Sequence, residues 1–149
     1  MNLFFDTSAL IKFFHEETGT AIVTDLITNP ENIICVSDLV RLEFISALQR
    51  RYRNKEIDGR ALNEAISGFY EEYSRFHVEP LGHGVLQEAE ELLKRHGKTY
   101  GMRTLDALHL STFILIKEDD WIFVASDDNL ISVAKAIDGK TLNPLTDTL

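Results

Sequence analysis

Trp121-Ile122-Phe123-Val124-Ala125 runs straight into Ser126-Asp127-Asp128-Asn129-Leu130. Four aromatic or β-branched residues and an alanine read as a buried strand, the strongest in the chain. Asp127 or Asp128 then starts a helix to Ile137, which Asp138-Gly139 closes. A very apolar helix from Thr104 to about Ile116 precedes the strand, and Thr141-Leu142-Asn143 supplies a short last one. The N-terminus repeats the pattern: Leu3-Phe4-Phe5 is a buried strand that ends at Asp6. Between these ends lie a helix from about Thr18 to Thr28, a strand Ile33-Ile34-Cys35-Val36, and a helix capped by Ser37 that runs to about Arg53. Another helix follows from Asp58 to about Phe76, then a weak strand His77-Val78-Glu79-Pro80, then a helix from Gly84 to His96 stopped by Gly97. Strands alternating with helices predict an α/β fold, a parallel sheet with helices on both faces.

A chain of 149 residues suits one domain, spanning 1–149. Hydrophobic residues make up 44% and charged residues 26%, with three prolines, which excludes a disordered chain. The single cysteine, Cys35, excludes a disulfide framework or a multi-cysteine zinc site, and its apolar strand marks it as inert core. No apolar run approaches the ~20 residues that span a bilayer. Met1-Asn2-Leu3-Phe4-Phe5-Asp6 lacks a basic leader, so the expectation is a cytoplasmic enzyme or binding module with no membrane role. The net charge of −9 excludes a grip on nucleic acid through overall charge. A polyanionic substrate would need a local basic patch or bound cations.

Four carboxylates stand where solvent-facing acids are not expected. Asp6 follows an apolar strand, so it either faces the crevice at the carboxyl edge of the sheet or caps the next short helix. Asp127 stands to its strand as Asp6 does, with the same two readings, and Asp128 is its solvated neighbour. Glu43 lies on an apolar helix stripe with Val40 and Ala47 on its own face, where burial is costly unless a cation or donor meets it. Asp106 lies in the first turn of the most apolar helix, which predicts that it is buried in the core, though the helix dipole also favours an acid there. If the strands of Asp6 and Asp127 are adjacent, both acids face one crevice and the helices of Glu43 and Asp106 can flank it. Unit charges ~4 Å apart repel by about 4 kcal/mol at an effective dielectric of 20. Four such acids therefore call for a divalent cation, and hard oxygen ligands suit Mg²⁺ or Mn²⁺.

Phe5-Asp6-Thr7-Ser8-Ala9-Leu10-Ile11-Lys12 resembles the opening of the PIN-domain ribonucleases. Ser37-Asp38-Leu39 through Glu43 resembles their second acidic motif, and Thr104-Leu105-Asp106-Ala107-Leu108-His109-Leu110 their third. Phe123 to Leu130 resembles the fourth, and Leu142-Asn143-Pro144 a common ending. The resemblance spans nearly the whole chain. It implies that Asp6, Glu43, Asp106 and Asp127 form the metal site, with Ser8 as a supporting hydroxyl. It also implies a metal-dependent endoribonuclease that leaves 5′-phosphate and 3′-hydroxyl ends. Many members are dimeric VapC-type toxins paired with a small antitoxin, so RNA, an antitoxin and a second copy of the chain are the expected partners. A PIN-domain RNA-processing nuclease without an antitoxin is the nearest alternative. One position departs: many members carry Thr or Ser two residues before the fourth acid, where this chain has Ala125, leaving Ser126 or Asp128 to compensate.

Two rivals come from other classes. A phosphatase forming an aspartyl-phosphate at Asp6 usually has a second Asp two residues on, where this chain has Ser8. A receiver-like phosphate- or metal-binding module usually carries an acidic pair before the acceptor strand and a late lysine, and neither is evident. The run Arg50-Arg51-Tyr52-Arg53-Asn54-Lys55 either holds RNA phosphates or is a solvated helix end, and Lys94-Arg95-His96-Gly97-Lys98 has the same two readings. Lys12 either reaches the crevice rim or snorkels at the surface. His109, on the face of Asp106, either orients that acid or is a core histidine satisfied by hydrogen bonds. Phe69, Tyr70 and Tyr73 exceed one core face of their helix and point to a homodimer.

Overall fold

Alternating side chains in one short strand divide the molecule. In the computed structural model, which describes residues 1–147, Leu3 and Phe5 enter one core cluster and Phe4 enters the other. That is the period-two geometry of a strand buried on both faces. This strand, β1 (Asn2–Phe5), is the centre of a five-stranded sheet. The chain continues through α1 (Thr7–Phe14), α2 (Thr20–Thr28), β2 (Ile33–Ser37), α3 (Leu39–Arg53), α4 (Gly59–Tyr73) and β3 (His77–Glu79). It then forms α5 (His83–Tyr100), α6 (Thr104–Ile116), β4 (Trp121–Val124), α7 (Asp128–Ala136) and β5 (Lys140–Leu142). The strand order is β3-β2-β1-β4-β5, every pair parallel, so the expected sheet with helices on both faces is present.

The first half of the chain winds outward from β1 on one side and the second half on the other. Chain direction across the sheet reverses between β1 and β4, where Phe5 lies opposite Val124. Residues of α1 to α4 cover one face around Phe14, Phe44 and Phe69; the Phe44 and Phe69 rings stack at 4.2 Å. Residues of α5, α6 and α7 cover the other, where Phe4, Phe113 and Phe123 meet at 5.2–5.9 Å. Cys35 lies in that second core; burial, then the charge of Glu79, pushes its thiol up to about 12, which keeps it inert.

Several boundaries differ from the sequence reading, each for a local reason. The short helix expected after Asp6 is Thr7–Phe14, eight residues long. α3 starts after Asp38 rather than directly after Ser37, because the Asp38 N–H still donates to Glu79 O at 2.8 Å and prolongs the pairing with β3, while Ser37 Oγ accepts from Leu39 N–H at 3.3 Å as a cap would. α5 passes through Gly97 and ends at Gly101, whose φ of +61° takes the left-handed geometry and whose N–H donates to Gly97 O at 2.9 Å. Asp138-Gly139 does close α7: Asp138 has φ +59°, and a Cβ on Gly139 would lie 2.7 Å from Ala134 O.

The aromatic residues of α4 are not a spare face. Phe69 is fully buried against Phe44 and Phe14, and the Tyr73 hydroxyl donates to Asp38 at 2.6 Å, so only Tyr70 is left outside. Phe69→Ala should therefore cost about 3–5 kcal/mol, lowering the melting temperature by roughly 10 °C. Tyr70→Ala should shift it by no more than a few degrees. Thermal melts of the two variants check this split.

Candidate functional site

A parallel sheet opens its ligand crevice where the chain direction across the sheet reverses, outside the carboxyl ends of the strands. Here that point lies between β1 and β4, and each strand is followed by one of the singled-out acids. The Asp6 N–H donates to Val124 O at 2.9 Å, extending the pairing by one more residue. Both readings of Asp6 hold together: it stands at the strand end and caps α1, Oδ2 accepting from Ser8 N–H at 2.9 Å. Asp127 does the same for α7, Oδ1 accepting from Leu130 N–H at 2.9 Å. Ser8 Oγ accepts from Ser126 N–H at 2.9 Å and pins the first turn of α1 to the β4–α7 turn.

Asp106 sits in the first turn of α6, so three helix N-termini with their partial positive charge reach this region. Glu43 comes from the middle of α3 and meets His109, a fully buried residue of α6. The imidazole Nε2 contacts Glu43 Oε1, lies 3.3 Å from Thr7 Oγ1 and stands 3.8 Å from Asp6 Oδ1. Thr7 Oγ1 also donates to Glu43 Oε1 at 3.2 Å. His109 is thus a core histidine held by hydrogen bonds at Nε2, and its direct contact is Glu43 rather than Asp106. Its Nδ1 is buried without a partner.

Asp6, Glu43, Asp106 and Asp127 all line one open cleft of about 600 Å³. Arg50 and Arg51 line its α3 side, both about two turns beyond Glu43, and the exposed side chains of Leu42 and Leu105 flank it. Arg103 completes the lining: its Nε donates to Asp106 Oδ2 at 3.0 Å and its Nη2 to Oδ1 at 3.4 Å, and it approaches Asp127 Oδ2 at 3.9 Å. Lys12 takes neither expected place, being buried in an ion pair with Glu17 at 2.9 Å. Asp128 turns away and accepts from Asn143 Nδ2 at 2.9 Å. Lys94 pairs with Glu90 and Glu91 on exposed α5, so that basic run belongs to a solvated face.

Repulsion among the four acids is relieved differently from the simple expectation. Two basic side chains alternate with them: His109, charged when protonated, between Glu43 and Asp6, and Arg103 between Asp106 and Asp127. Burial alone would push the His109 imidazole down. The hydrogen bond to Glu43 and the charges of Asp6, Glu43 and Asp106 outweigh it, so the imidazole titrates above its ordinary value. The Asp106 hydrogen bond and charge likewise hold the Arg103 guanidinium more firmly protonated. Among the described residues, no three carboxylate, imidazole or thiol groups are gathered tightly enough to hold a metal ion. The donor set nevertheless suits a hard divalent ion, with four carboxylates on one cleft and Asp106 met by the side chain of an exposed arginine.

The sequence matches the PIN domain family model over residues 3–136. The chain belongs to the PIN domain family. No curated protein matches it. Solved structures share the fold of this PIN domain. VapC20 of Mycobacterium tuberculosis, described as a sarcin-ricin loop cleaving toxin, is 20% identical with a TM-score of 0.66, covering 87% of this chain and 93% of that one. A FitAcB structure from Neisseria gonorrhoeae is 14% identical with a TM-score of 0.70, covering 97% and 99%. The VapBC2 complex of Rickettsia felis, bound to a promoter DNA fragment, is 16% identical with a TM-score of 0.63, covering 96% and 98%. No described helix of this PIN domain is long and apolar enough to cross a membrane.

Two cleft residues of this PIN domain escaped the sequence reading. Arg103 stands three residues before Asp106, an i,i+3 spacing that carried the signal. Thr7 had none, because its partners Glu43 and His109 come from other helices. The buried imidazole also makes stability depend on pH. A raised folded pKa contributes stability that is fully present below the ordinary value of 6.5 and is lost as pH rises through the folded value. In EDTA, the stability advantage of the wild type over His109→Gln should be greatest below pH 6.5 and shrink as pH rises. Denaturant titrations across that range measure it, and a constant difference would count against the pairing.

Proposed function

We propose that the chain is a Mg²⁺- or Mn²⁺-dependent endoribonuclease, the toxin of a type II toxin–antitoxin pair. The observation that carries this reading is the convergence of Asp6, Glu43, Asp106 and Asp127 on one cleft of a PIN domain. Asp6, Asp106 and Asp127 hold the divalent ion. When bound, such an ion makes water acidic enough to attack at neutral pH and offsets charge on the scissile phosphate. Glu43, fixed by Thr7 and His109, completes the ligand set or accepts the proton that leaves the attacking water. Ser8 keeps the Asp6 and Asp127 turns together through Ser126. Arg50 and Arg51 hold flanking RNA phosphates; among the described residues neither has an ion-pair partner. The products carry 5′-phosphate and 3′-hydroxyl ends.

A small antitoxin covers the cleft, a partner in keeping with the toxin–antitoxin complexes that share the fold. The toxin works as a cytoplasmic homodimer. With the α4 aromatics committed to the core, the dimer rests on the family resemblance, and light scattering at tens of micromolar tests it.

Cleavage of single-stranded RNA with Mn²⁺ and with EDTA is the deciding experiment. Asp6→Asn should abolish cleavage and leave the fold intact, since Asn also caps a helix. Mn²⁺ should stabilise the wild type by about 2.7 kcal/mol at a hundred times its dissociation constant, and the variant less. Cleavage that survives EDTA, or an Asp6→Asn enzyme at wild-type rate, would overturn the reading. Replacing both Arg50 and Arg51 by Ala should weaken RNA binding and lower the slope of log affinity against log salt by about 1.4, roughly 0.7 for each phosphate no longer neutralised.

A further inference from the structure

Arg103 occupies the place where a metal ion would have to compete. Its backbone is fixed on both sides. Gly101, in the left-handed geometry, ends α5, the buried Met102 anchors the connection, and Arg103 itself is the N-cap residue of α6. Its side chain is 75% exposed, yet it bridges two acids from separate elements, Asp106 on α6 and Asp127 in the β4–α7 turn. Both oxygens of Asp106 are engaged by the guanidinium fork. An arginine stays charged at any working pH, so a proton cannot release this contact. An ion pair this exposed is weak, which makes it exchangeable.

We propose that Arg103 is a resident counter-cation that competes with the divalent ion for Asp106 and Asp127 and so sets how much metal the cleft needs. The proposal rests on the metal-dependent reading above. Loading the ion requires the guanidinium to leave at least one Asp106 oxygen. The exposed side chain has solvent to swing into, while Met102 and the start of α6 stay in place. Arg103 thereby keeps Asp106 and Asp127 neutralised when metal is scarce and gives them up when it is plentiful. The same guanidinium, once free at the cleft mouth, has the planar fork that suits a phosphate.

Calorimetric titration with Mn²⁺ alone separates the possibilities without any RNA. Arg103→Gln should bind Mn²⁺ about three- to ten-fold tighter than the wild type, the scale of removing one screened charge. Arg103→Lys keeps the charge but loses the fork, and its affinity should fall between the two. In the unmodified protein, the Arg103 Nε–H signal in NMR should be protected from solvent exchange in EDTA and lose that protection as Mg²⁺ is added. This arm stands even if a variant folds poorly. Equal or weaker Mn²⁺ binding by Arg103→Gln, or an Nε–H signal indifferent to Mg²⁺ in a protein that binds the ion, overturns the role of Arg103 alone. If neither wild type nor variant binds Mn²⁺ at millimolar concentration, the metal-dependent reading falls and takes this proposal with it.

Discussion

The parallel pairing of β1 with β4 is the constraint from which the rest follows. It joins residues near the N-terminus to residues about 120 positions later, in the register Asn2 opposite Trp121 to Phe5 opposite Val124. Everything between them must then wind outward on one side or return on the other, which separates the two aromatic cores. The register also decides chemistry. A shift of one residue would turn Leu3 and Phe5 toward the wrong face and move Asp6 out of line with the β4–α7 turn. Asp6 N–H to Val124 O and Ser126 N–H to Ser8 Oγ carry the pairing past the strand ends and hold the two turns together. A contact so distant in sequence is costly to form early, so the two halves of this fold should gain structure locally before the sheet closes.

Four acids on one cleft would be expensive if each had to be met by another group at full strength. The fold divides that cost. Asp6 and Asp127 accept from the N–H groups of helices that need an acceptor there, and Asp106 sits in a first turn where the dipole favours negative charge. Glu43 has no helix end to help it, and it is the acid that receives both a threonine hydroxyl and a buried imidazole. The strength of the partner therefore follows the local need. At the mouth, where water screens, a single exposed arginine serves Asp106 and Asp127. The interior arrangement fixes geometry; the exterior one can be exchanged.

What could be read from the sequence and what could not divides along the range of the interactions. Apolar runs announced the three central strands, because a strand buried on both faces leaves a continuous local signature; the half-exposed edge strands His77–Glu79 and Lys140–Leu142 left only a weak or short one. The acids at the ends of Leu3-Phe4-Phe5 and Trp121-Ile122-Phe123-Val124-Ala125 stood out for the same reason, and the structure does make those strands neighbours. α1 was legible only through its cap, as the short helix after Asp6, because eight residues give only about two turns of periodicity. Gly97 looked like a helix stop because a glycine's conformation is not visible in sequence; four residues later Gly101 takes the left-handed geometry instead. Phe69 and Tyr73 looked surplus because their partners Phe44 and Asp38 lie on or beside another helix. Thr7 and the true partner of His109 were unreadable on the same ground, since a hydrogen bond between helices leaves no periodic trace.

The net charge of −9 sets the terms on which a polyanion can approach. Long-range repulsion discourages indiscriminate capture of RNA, and over the ~8 Å reach of charge at physiological salt only local cations count. Most other ion-paired cations of this chain are committed elsewhere: Lys12 to Glu17, Arg60 to Glu64, Arg75 to Glu71 and Glu72, Lys94 to Glu90 and Glu91. The cleft gathers Arg50 and Arg51 on the α3 side and Arg103 at the start of α6, around the four acids. Four acids stand against these three arginines and the His109 imidazole, so the cleft by itself offers a phosphate no net attraction. On the proposed reading, a divalent ion among the acids would tip that balance and leave the arginines facing solvent. Metal loading would then do more than supply Lewis acidity: it would convert one cleft from a surface with no net pull on RNA into one that receives it, so substrate binding and chemical competence arise from the same event.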